Sequence, residues 1–350
     1  MKLTLWRDDV TLARALSAAD ERHEVRPRLY LEVDDGAVCG YGEVGAQPIA
    51  LHGDPSVDDV IAELCATVLP LVARVARREG ALPNWTRAVR LGATRATSRF
   101  AVALVEMALL DVDLRRAATT LAQRWPARYA PGALLTVSLL DDAPWPSDAD
   151  AARLRVKTRP GPLSAASRER LASVTTPVLL DFNASGRSLD QVADHVDQVA
   201  GVATLVAVEQ PFAPGNLPLH AALARRLAVA VSLDEGVRSA ADLDRIARYG
   251  AATMVCLKPA RVGGLSTART LAARAGDLGL AAYLGGFFES DFARAVHGVL
   301  VRHAVSEPSD LAPVGRRDRD DSDARVVADG LGVAPLAAVL ARARLVVSLG

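Results

Sequence analysis

The sequence predicts an α/β fold in which a parallel barrel follows a smaller α+β unit. The chain has 350 residues, too many for one small module and enough to bury a large core. Hydrophobic residues make up 50% and charged residues 23%, which is an ordinary globular balance. From about residue 130, short β-branched runs alternate with helical stretches, and this alternation indicates a parallel sheet.

The first 125 or so residues predict a three-stranded meander followed by helices. Three runs within residues 1–50 have strand-like patterns, and the Asp-Asp-Gly at 34–36 is typical of a hairpin turn. Residues 56–80 place apolar side chains at helical spacing behind a serine N-cap. Residues 97–125 predict a long helical region that is broken once.

The remaining chain predicts the barrel and a return to the first unit. Seven clear apolar runs begin near residue 133, and the run at 309–313 is a faint eighth, so that eight units would close a (β/α)8 barrel. Residues 316–326 alternate in charge and predict a solvated loop. Residues 330–350 predict a final helix and a short strand that packs back on the N-terminal unit.

Charge and composition exclude several partners. The chain has 41 basic and 41 acidic residues, so it lacks the excess of positive charge that is typical of proteins that bind nucleic acid or an anionic membrane surface. It has no apolar run long enough to span a bilayer, and its N-terminus lacks a secretory pattern. Three scattered cysteines show no metal or disulfide spacing, so we expect a cytoplasmic protein. Six scattered histidines predict surface or core positions.

Lysine is rare, and its positions are informative. Only three of the 41 basic residues are lysines, and these are Lys2, Lys157 and Lys258. Arginine keeps its proton at all working pH values, whereas a desolvated lysine can lose it. The two internal lysines therefore mark positions where arginine does not serve.

Charged side chains interrupt six successive strand ends at spacings of 24 to 31 residues, about one strand–helix unit each. These residues are Lys157, Asp181, Glu209, Asp234, Lys258 and Glu289. The carboxyl ends of parallel barrel strands converge on one mouth, where active sites form. We therefore expect the side chains from Lys157 to Lys258 to form a ring at this mouth.

The ring has a chemical interpretation. Three neighbouring carboxylates repel one another unless a hard cation lies between them, and an all-oxygen set favours Mg²⁺, with Mn²⁺ as the alternative. A lysine beside that cation should have a lowered pKa and could act as a general base. This arrangement suits removal of a proton α to a carboxylate. The alternative, helix caps and salt-bridged strand ends, accounts for any one residue better than for all five in register.

The motifs around these residues resemble the enolase superfamily, in its muconate-lactonizing subgroup. An N-terminal match lies at Gly40-Tyr-Gly-Glu43. The barrel matches are Arg155-Val-Lys157, Asp181-Phe-Asn183, Glu209-Gln-Pro211, Asp234-Glu235, Lys258-Pro-Ala-Arg261-Val-Gly-Gly264 and Gly285-Gly286-Phe-Phe-Glu289-Ser290. Each motif is weak alone, and together in this order they are specific.

The resemblance implies a modified TIM barrel, (β/α)7β, over residues 129–324. It implies an N-terminal α+β capping domain over 1–128, completed by about 325–350. Loops around Glu43–His52 would close over a small carboxylate substrate. Mg²⁺ would be held by Asp181, Glu209 and Asp234, with Lys157 and Lys258 as acid/base residues on opposite faces. Supporting or substrate-binding positions would be Arg155, Asn183, Glu235, Arg261, Gly285, Gly286 and Glu289. Family members are commonly homo-oligomers, and we expect the same here.

The motifs also narrow the activity within the family. The seventh strand has no histidine, which disfavours a mandelate racemase-like enzyme, and Asp310-Leu-Ala312 lacks the second aspartate of dipeptide epimerases. The Lys258–Gly264 block most resembles o-succinylbenzoate synthases and N-succinylamino acid racemases. The resemblance thus implies Mg²⁺-dependent dehydration in menaquinone biosynthesis. N-succinylamino acid racemisation, muconate cycloisomerisation and a catalytically silent binding scaffold stay as alternatives.

Several residues depart from the family pattern. Arg155 replaces a lysine, Gly236 replaces a serine, and Phe182 stands where a small residue is frequent. Phe287, Phe288 and Asp291 replace smaller residues after the seventh strand. These changes lie at the predicted pocket wall and favour an altered substrate. The alternative for Arg261 is a surface position in an arginine-rich chain.

Overall fold

The computed structural model describes residues 1–17, 22–87, 98–137, 151–310 and 323–350. No helix within these ranges is long and apolar enough to cross a membrane. The predicted division of the chain at residues 128 and 324 stays a prediction.

The N-terminal unit is built on an antiparallel sheet. Its strands are β1 (Lys2–Ser17), β2 (Arg22–Asp34) and β3 (Cys39–Gly45), and the last strand of the chain, β13 (Arg344–Leu349), pairs with β1. The order is β13-β1-β2-β3. Gly36 adopts φ +91° between β2 and β3, and its N–H donates to Asp34 at 2.8 Å, which confirms the predicted hairpin turn.

Helices cover this sheet. A continuous helical stretch comprises α1 (Val57–Glu63), one π-helical turn at Leu64–Val68 and α2 (Leu69–Glu79). It begins at the predicted N-cap, Ser56, which also forms a capping box with Asp59. The second region contains α3 (Arg99–Arg116) and α4 (Leu121–Arg124), with the expected break between them.

Helix α3 is almost completely buried because it lies between the sheet and the barrel. On the sheet side, a Cβ at Gly42 would lie 2.5 Å from the Leu104 carbonyl oxygen, so only glycine allows this approach. On the barrel side, the buried Glu106 carboxylate accepts from the N–H groups of Leu265 and Ser266 at 2.8 and 2.9 Å. Glu106 therefore caps the helix that follows the Lys258–Arg261 motif.

The parallel sheet contains the seven predicted strands in sequence order. They are β4 (Leu134–Val137), β5 (Arg153–Lys157), β6 (Val178–Asp181), β7 (Leu205–Glu209), β8 (Ala230–Leu233), β9 (Met254–Leu257) and β10 (Ala281–Leu284). The helices that follow β5 to β10 are α5 (Ala165–Ala172), α6 (Leu189–Ala200), α7 (Leu217–Arg226), α8 (Ala240–Tyr249), α9 (Pro259–Val262), α10 (Leu265–Asp277) and α11 (Asp291–Ala304). Near-continuous burial of these strands reflects helices on one side and barrel interior on the other.

The faint eighth run forms a bridge between the first and last barrel strands. Ser309 pairs in parallel with Ala133, and its carbonyl accepts from the N–H of Leu134 at 2.8 Å. On the other side, the Asp310 N–H donates to Leu284 at 2.9 Å. The sheet is thus linked from β10 to β4 through Ser309 and Asp310, which confirms the modified barrel.

The last segment returns to the N-terminal sheet. Strands β11 (Ala324–Val326) and β12 (Val333–Pro335) pair with each other, and α12 (Ala337–Arg342) precedes β13. The predicted final helix and strand are therefore confirmed. The predicted loop at 316–326 is wrong for its last three residues, which form β11, and residues 316–322 lie outside the described part.

Candidate active site

The predicted ring residues lie together at one end of the parallel sheet. Lys157, Asp181 and Glu209 are the last residues of β5, β6 and β7 and stand side by side in register. Asp234 and Lys258 directly follow β8 and β9. The three acidic strands are contiguous, and the two lysines follow or end the strands that flank them.

Lys157 contacts the first acidic strand. Its Nζ donates to Asp181 Oδ2 at 2.6 Å and to Asn183 Oδ1 at 2.7 Å. Asn183 reaches this position through a positive φ of 43°, and its own N–H donates to Asp181 Oδ1 at 3.0 Å. The Lys157 side chain keeps 11% of its surface exposed, so the amine is enclosed yet accessible.

Lys258 mirrors this contact on the other side of the carboxylates. Its Nζ donates to Asp234 Oδ2 at 2.8 Å and lies 4.7 Å from the centre of the Phe287 ring. Burial disfavours the charged amine, but the Asp234 carboxylate outweighs it and raises the pKa of Lys258 above its ordinary value. The protein groups alone therefore raise the pKa of Lys258. The predicted lowering of a lysine pKa concerned a lysine beside a bound divalent cation.

Arg261 is buried in the site. Only 2% of its surface is exposed, so the alternative of a surface arginine is wrong. Its Nη1 donates to Asp234 Oδ1, and its Nε and Nη2 donate to the Asp54 carboxylate at 2.9 and 2.6 Å. Burial opposes ionisation of Asp234, but Arg261 and Lys258 outweigh it and lower the pKa of Asp234.

Glu209 is held between donors from two other strands. Arg155 Nη1 donates to Oε1 at 3.2 Å, and the Tyr283 hydroxyl donates to Oε2 at 2.6 Å. Burial raises the pKa of Glu209 to about 7, and the charges of Asp181 and Asp234 act in the same direction. The three carboxylates are thus close enough to influence one another.

Glu235 adds a fourth acidic side chain to the mouth. Its Oε1 accepts from Asn183 Nδ2 at 3.4 Å, and its buried Oε2 has no hydrogen-bond partner among the described residues. Burial raises the pKa of Glu235 to about 8, helped by the charge of Asp234.

Two predicted glycines leave room for neighbouring side chains. A Cβ at Gly285 would lie 2.7 Å from Cys256 Sγ and 3.0 Å from Lys258 Cε, and one at Gly286 would lie 2.4 Å from Glu289 Oε2. Glu289 lines an internal cavity of about 10 Å³ with Glu43 and His297. The structure thus places it toward the N-terminal sheet, unlike the acids from Asp181 to Asp234.

The carboxylates at this mouth are the kind of donor that suits a hard divalent cation. One potential ligand atom from each of Glu209, Asp234 and Cys256 lies within 4.8 Å of the others. Asp181 stands beside Glu209 in register but lies outside that group, and Cys256 inside it was not predicted. The sequence shows no metal spacing among the cysteines, and only the fold brings Cys256 close to these carboxylates. A positive ion would stabilise these clustered buried carboxylates, of which Glu209 has a pKa raised by burial and, to a smaller extent, by the charges of Asp181 and Asp234.

Several residues at the site were given no role from the sequence. Gln210 Oε1 accepts from the N–H groups of Asp234 and Gly236 at 2.9 and 3.3 Å, which fixes the end of β8. Tyr283 was visible as the polar residue inside an apolar run. Asp54 had no pattern to mark it, since only the folded loop brings its carboxylate to Arg261.

Asp310, the aspartate of the Asp310-Leu-Ala312 run, contacts two arginines. Its Oδ2 accepts from Arg155 Nη2 at 2.7 Å, and its Oδ1 from Arg294 Nη1 at 3.4 Å. Arg155 therefore links the closing bridge of the barrel to Glu209. Lysine could not fill this role, because it has a single amine in place of a planar guanidinium with several N–H donors.

Known proteins are similar to this chain in sequence and in fold. Residues 150–333 match the Enolase C-terminal domain-like family. The chain is 24% identical over 308 residues to an o-succinylbenzoate synthase of Bacillus subtilis (strain 168), covering 84% of this chain and 80% of that protein. It is 29% identical over 265 residues to an N-succinylamino acid racemase of Amycolatopsis sp, covering 69% and 71%. The crystal structure of 2-chloromuconate cycloisomerase from Rhodococcus opacus 1CP superimposes with a TM-score of 0.81 at 19% identity and covers 98% of both chains, a likeness of fold.

Proposed function

The chain belongs to the Enolase C-terminal domain-like family and is an enzyme of the enolase superfamily, and on this basis we propose that it abstracts a proton α to a carboxylate and dehydrates an o-succinylbenzoate precursor. The relatives named o-succinylbenzoate synthase support this choice of substrate. The proposed cation is Mg²⁺, with Mn²⁺ as a substitute, and the proposed ligands are Asp181, Glu209 and Asp234.

One observation carries the proposal: two enclosed lysines contact the first and last members of a row of three carboxylates. Lys157 lies on Asp181 and Lys258 on Asp234, at 2.6 and 2.8 Å. A substrate carboxylate held over the row would have its α-carbon between the two amines. This is the geometry that proton abstraction from either face requires.

In the proposed reaction, Lys157 as the neutral amine takes the α-proton, and the C–H electron pair passes into an enediolate. When bound, a divalent cation supplies positive charge that stabilises an enediolate and disfavours the charged form of a nearby lysine. The Lys258 ammonium adds its own charge from the opposite face. The C–O bond then breaks, a ring double bond forms, and the hydroxyl leaves as water with the proton that Lys157 had taken.

Further side chains hold these groups in place. Asn183 orients the Lys157 amine, and the Phe287 ring confines the Lys258 amine. Gln210 fixes the backbone that presents Asp234. Close packing of this kind excludes water from the reacting face.

N-succinylamino acid racemisation is the second candidate. The same two-sided arrangement favours it, because the side chains of Lys157 and Lys258 are equally exposed, at 11% each. Racemisation needs an amine on each face, one to remove the proton and the other to return one. The Amycolatopsis relative named N-succinylamino acid racemase supports this reading.

The setting of Asp310 disfavours substrates with a free α-amino group. Both its carboxylate oxygens accept from arginines, so Asp310 is already neutralised within the protein. A substrate ammonium would have to displace Arg155 or Arg294 from it. Acylated amino acids and hydroxy acids, which carry no ammonium, suit the site better.

The test is a direct comparison of substrates with the purified chain and Mg²⁺. One arm supplies the hydroxycyclohexadiene carboxylate that becomes o-succinylbenzoate on losing water, followed by the absorbance of the aromatic product. The other arm supplies N-succinylamino acids in D₂O, followed by NMR for loss of the α-proton signal. Turnover only in the second arm would replace the first proposal with the racemase, and turnover in neither would refute both.

A further inference from the structure

A tyrosine lies beneath the proposed metal ligands, inside the barrel. Tyr283 on β10 is completely buried, and its hydroxyl donates to Glu209 Oε2 at 2.6 Å. The same hydroxyl lies 3.1 Å from Ser232 Oγ on β8. No residue on β10 belongs to the proposed ligand set. The hydrogen bond from Tyr283 therefore connects β10 to a proposed ligand on β7, a strand that is not its neighbour in the sheet.

With this contact, both oxygens of the Glu209 carboxylate accept a hydrogen bond. Arg155 on β5 donates to Glu209 Oε1, and Tyr283 donates to Oε2, so each oxygen receives one bond from within the barrel. A carboxylate oxygen has two lone pairs. Each oxygen of Glu209 therefore keeps a second lone pair, while the plane of the carboxylate is fixed by donors on both sides.

Arg155 is itself tied by Asp310 and Thr136, at 2.7 and 3.1 Å. Its position is thus set by β4 and by the closing bridge of the barrel. Tyr283 is the partner that sets Glu209 from the opposite side. Loss of the Tyr283 hydroxyl would leave Glu209 Oε2 buried without this donor. The Glu209 carboxylate could then rotate about its remaining hydrogen bond, the one from Arg155.

We propose that Tyr283 is a positioning residue for Glu209, which orients this carboxylate so that it can bind the divalent cation. The inference rests on the proposed function, because that function makes Glu209 a ligand. Partners that orient a metal-binding side chain are worth about 10- to 100-fold in metal affinity. Tyr283 acts through Glu209 and does not itself touch the cation or the substrate.

The test is the binding of Mn²⁺ to the full chain without substrate, with free Mn²⁺ followed by its EPR signal. Tyr283→Phe removes only the hydroxyl, and we expect a dissociation constant about 10- to 100-fold weaker than that of wild type. Thermal stabilisation by a saturating concentration of Mg²⁺ should fall in parallel, by about 1.4 kcal/mol for each tenfold loss.

Two variants serve as controls. Tyr30→Phe makes the same change at an equally buried tyrosine on β2 and should leave Mn²⁺ affinity within about twofold of wild type. Ser232→Ala removes the other contact of the Tyr283 hydroxyl and keeps its bond to Glu209, so affinity should again be retained. An equal loss in Tyr30→Phe would show a general effect and overturn the proposal.

The outcomes separate this inference from the proposed function. If wild type binds no Mn²⁺, both are wrong. If wild type binds it and Tyr283→Phe binds it equally well, only the positioning role is wrong. Should Tyr283→Phe fail to fold, the near-ultraviolet difference spectrum of wild type on adding Mg²⁺ decides. A tyrosine signal that Tyr30→Phe retains supports the proposal, and no tyrosine signal overturns it.

Discussion

The carboxylate of Asp54 accepts hydrogen bonds from both Nε and Nη2 of Arg261, at 2.9 and 2.6 Å, across the boundary between a loop after β3 and the barrel mouth. Both side chains are 2% exposed. Asp54 also accepts from Arg238 Nη2 at 2.9 Å. One loop carboxylate therefore forms ion pairs with two barrel arginines, Arg238 and Arg261.

We expect Asp54→Ala to destabilise the protein by about 3 kcal/mol, because it leaves two buried N–H donors of Arg261 without their acceptor and leaves Asp234 alone to compensate the Arg261 charge. Urea denaturation measures the change. Asp190→Ala is the matched control, since the Arg226–Asp190 pair is 40% and 82% exposed and should contribute less than about 1 kcal/mol. Equal losses in the two variants would contradict the role assigned to burial.

Lys157→Ala should abolish exchange of the substrate α-proton, because no other amine contacts Asp181 among the described residues. Lys157→Arg should fail nearly as completely, since arginine keeps its proton and cannot act as a base. Deuterium incorporation from D₂O, followed by NMR, measures both. Lys2→Ala removes the exposed terminal lysine and should exchange like wild type. Exchange at the wild-type rate in Lys157→Ala would refute the base assignment.

Removal of divalent cations should abolish turnover, and adding Mg²⁺ should restore it. The reason is that the enediolate carries charge that the lysines alone stabilise too weakly. Activity before and after dialysis against a chelator measures this, with dialysis against the same buffer without chelator as the control. Full activity in the chelator would argue against a metal-dependent reaction.

Glu43→Gln should change how stability depends on pH. Burial raises the pKa of Glu43 from 4.5 to about 7, helped by the charge of Glu289 and opposed by Arg28 and Ser290. The stability contributed by this carboxyl is fully present below about pH 4.5 and is lost as pH rises through about 7.

The glutamine variant cannot ionise, so it should lack that loss and gain relative to wild type as pH rises over this range. The difference should grow by at most about 1.4 kcal/mol per pH unit. Urea midpoints measured from pH 4 to 8 test this. Parallel curves for the two proteins would show that Glu43 does not titrate there.

The barrel strands and their terminal charged residues were predictable because two local signals coincide. Strand–helix alternation sets the fold, and Lys157, Asp181 and Glu209 interrupt apolar runs at the same point of each unit. The register of a parallel sheet then brings them together without further information. The hairpin at residues 34–36 was predictable for a similar local reason.

The partners of these residues were not predictable, because they depend on distant parts of the chain. Asp54 and Arg261 are 207 residues apart, and Tyr283 and Glu209 are 74 apart. The eighth strand was faint because a bridge at Ser309 needs only one residue in register. The strand at Ala324–Val326 was missed since Val326 is 87% exposed and lacks the apolar neighbours that mark buried strands.

The pairing of β13 with β1 has a consequence for synthesis on the ribosome. Leu3 lies opposite Leu349, so β1 waits for a strand that is made much later in translation before one of its edges is covered. During translation that edge stays available for wrong pairing with other chains. Aggregation through this edge of β1 is therefore prevented only after the six residues of β13 have been synthesised and have paired with it.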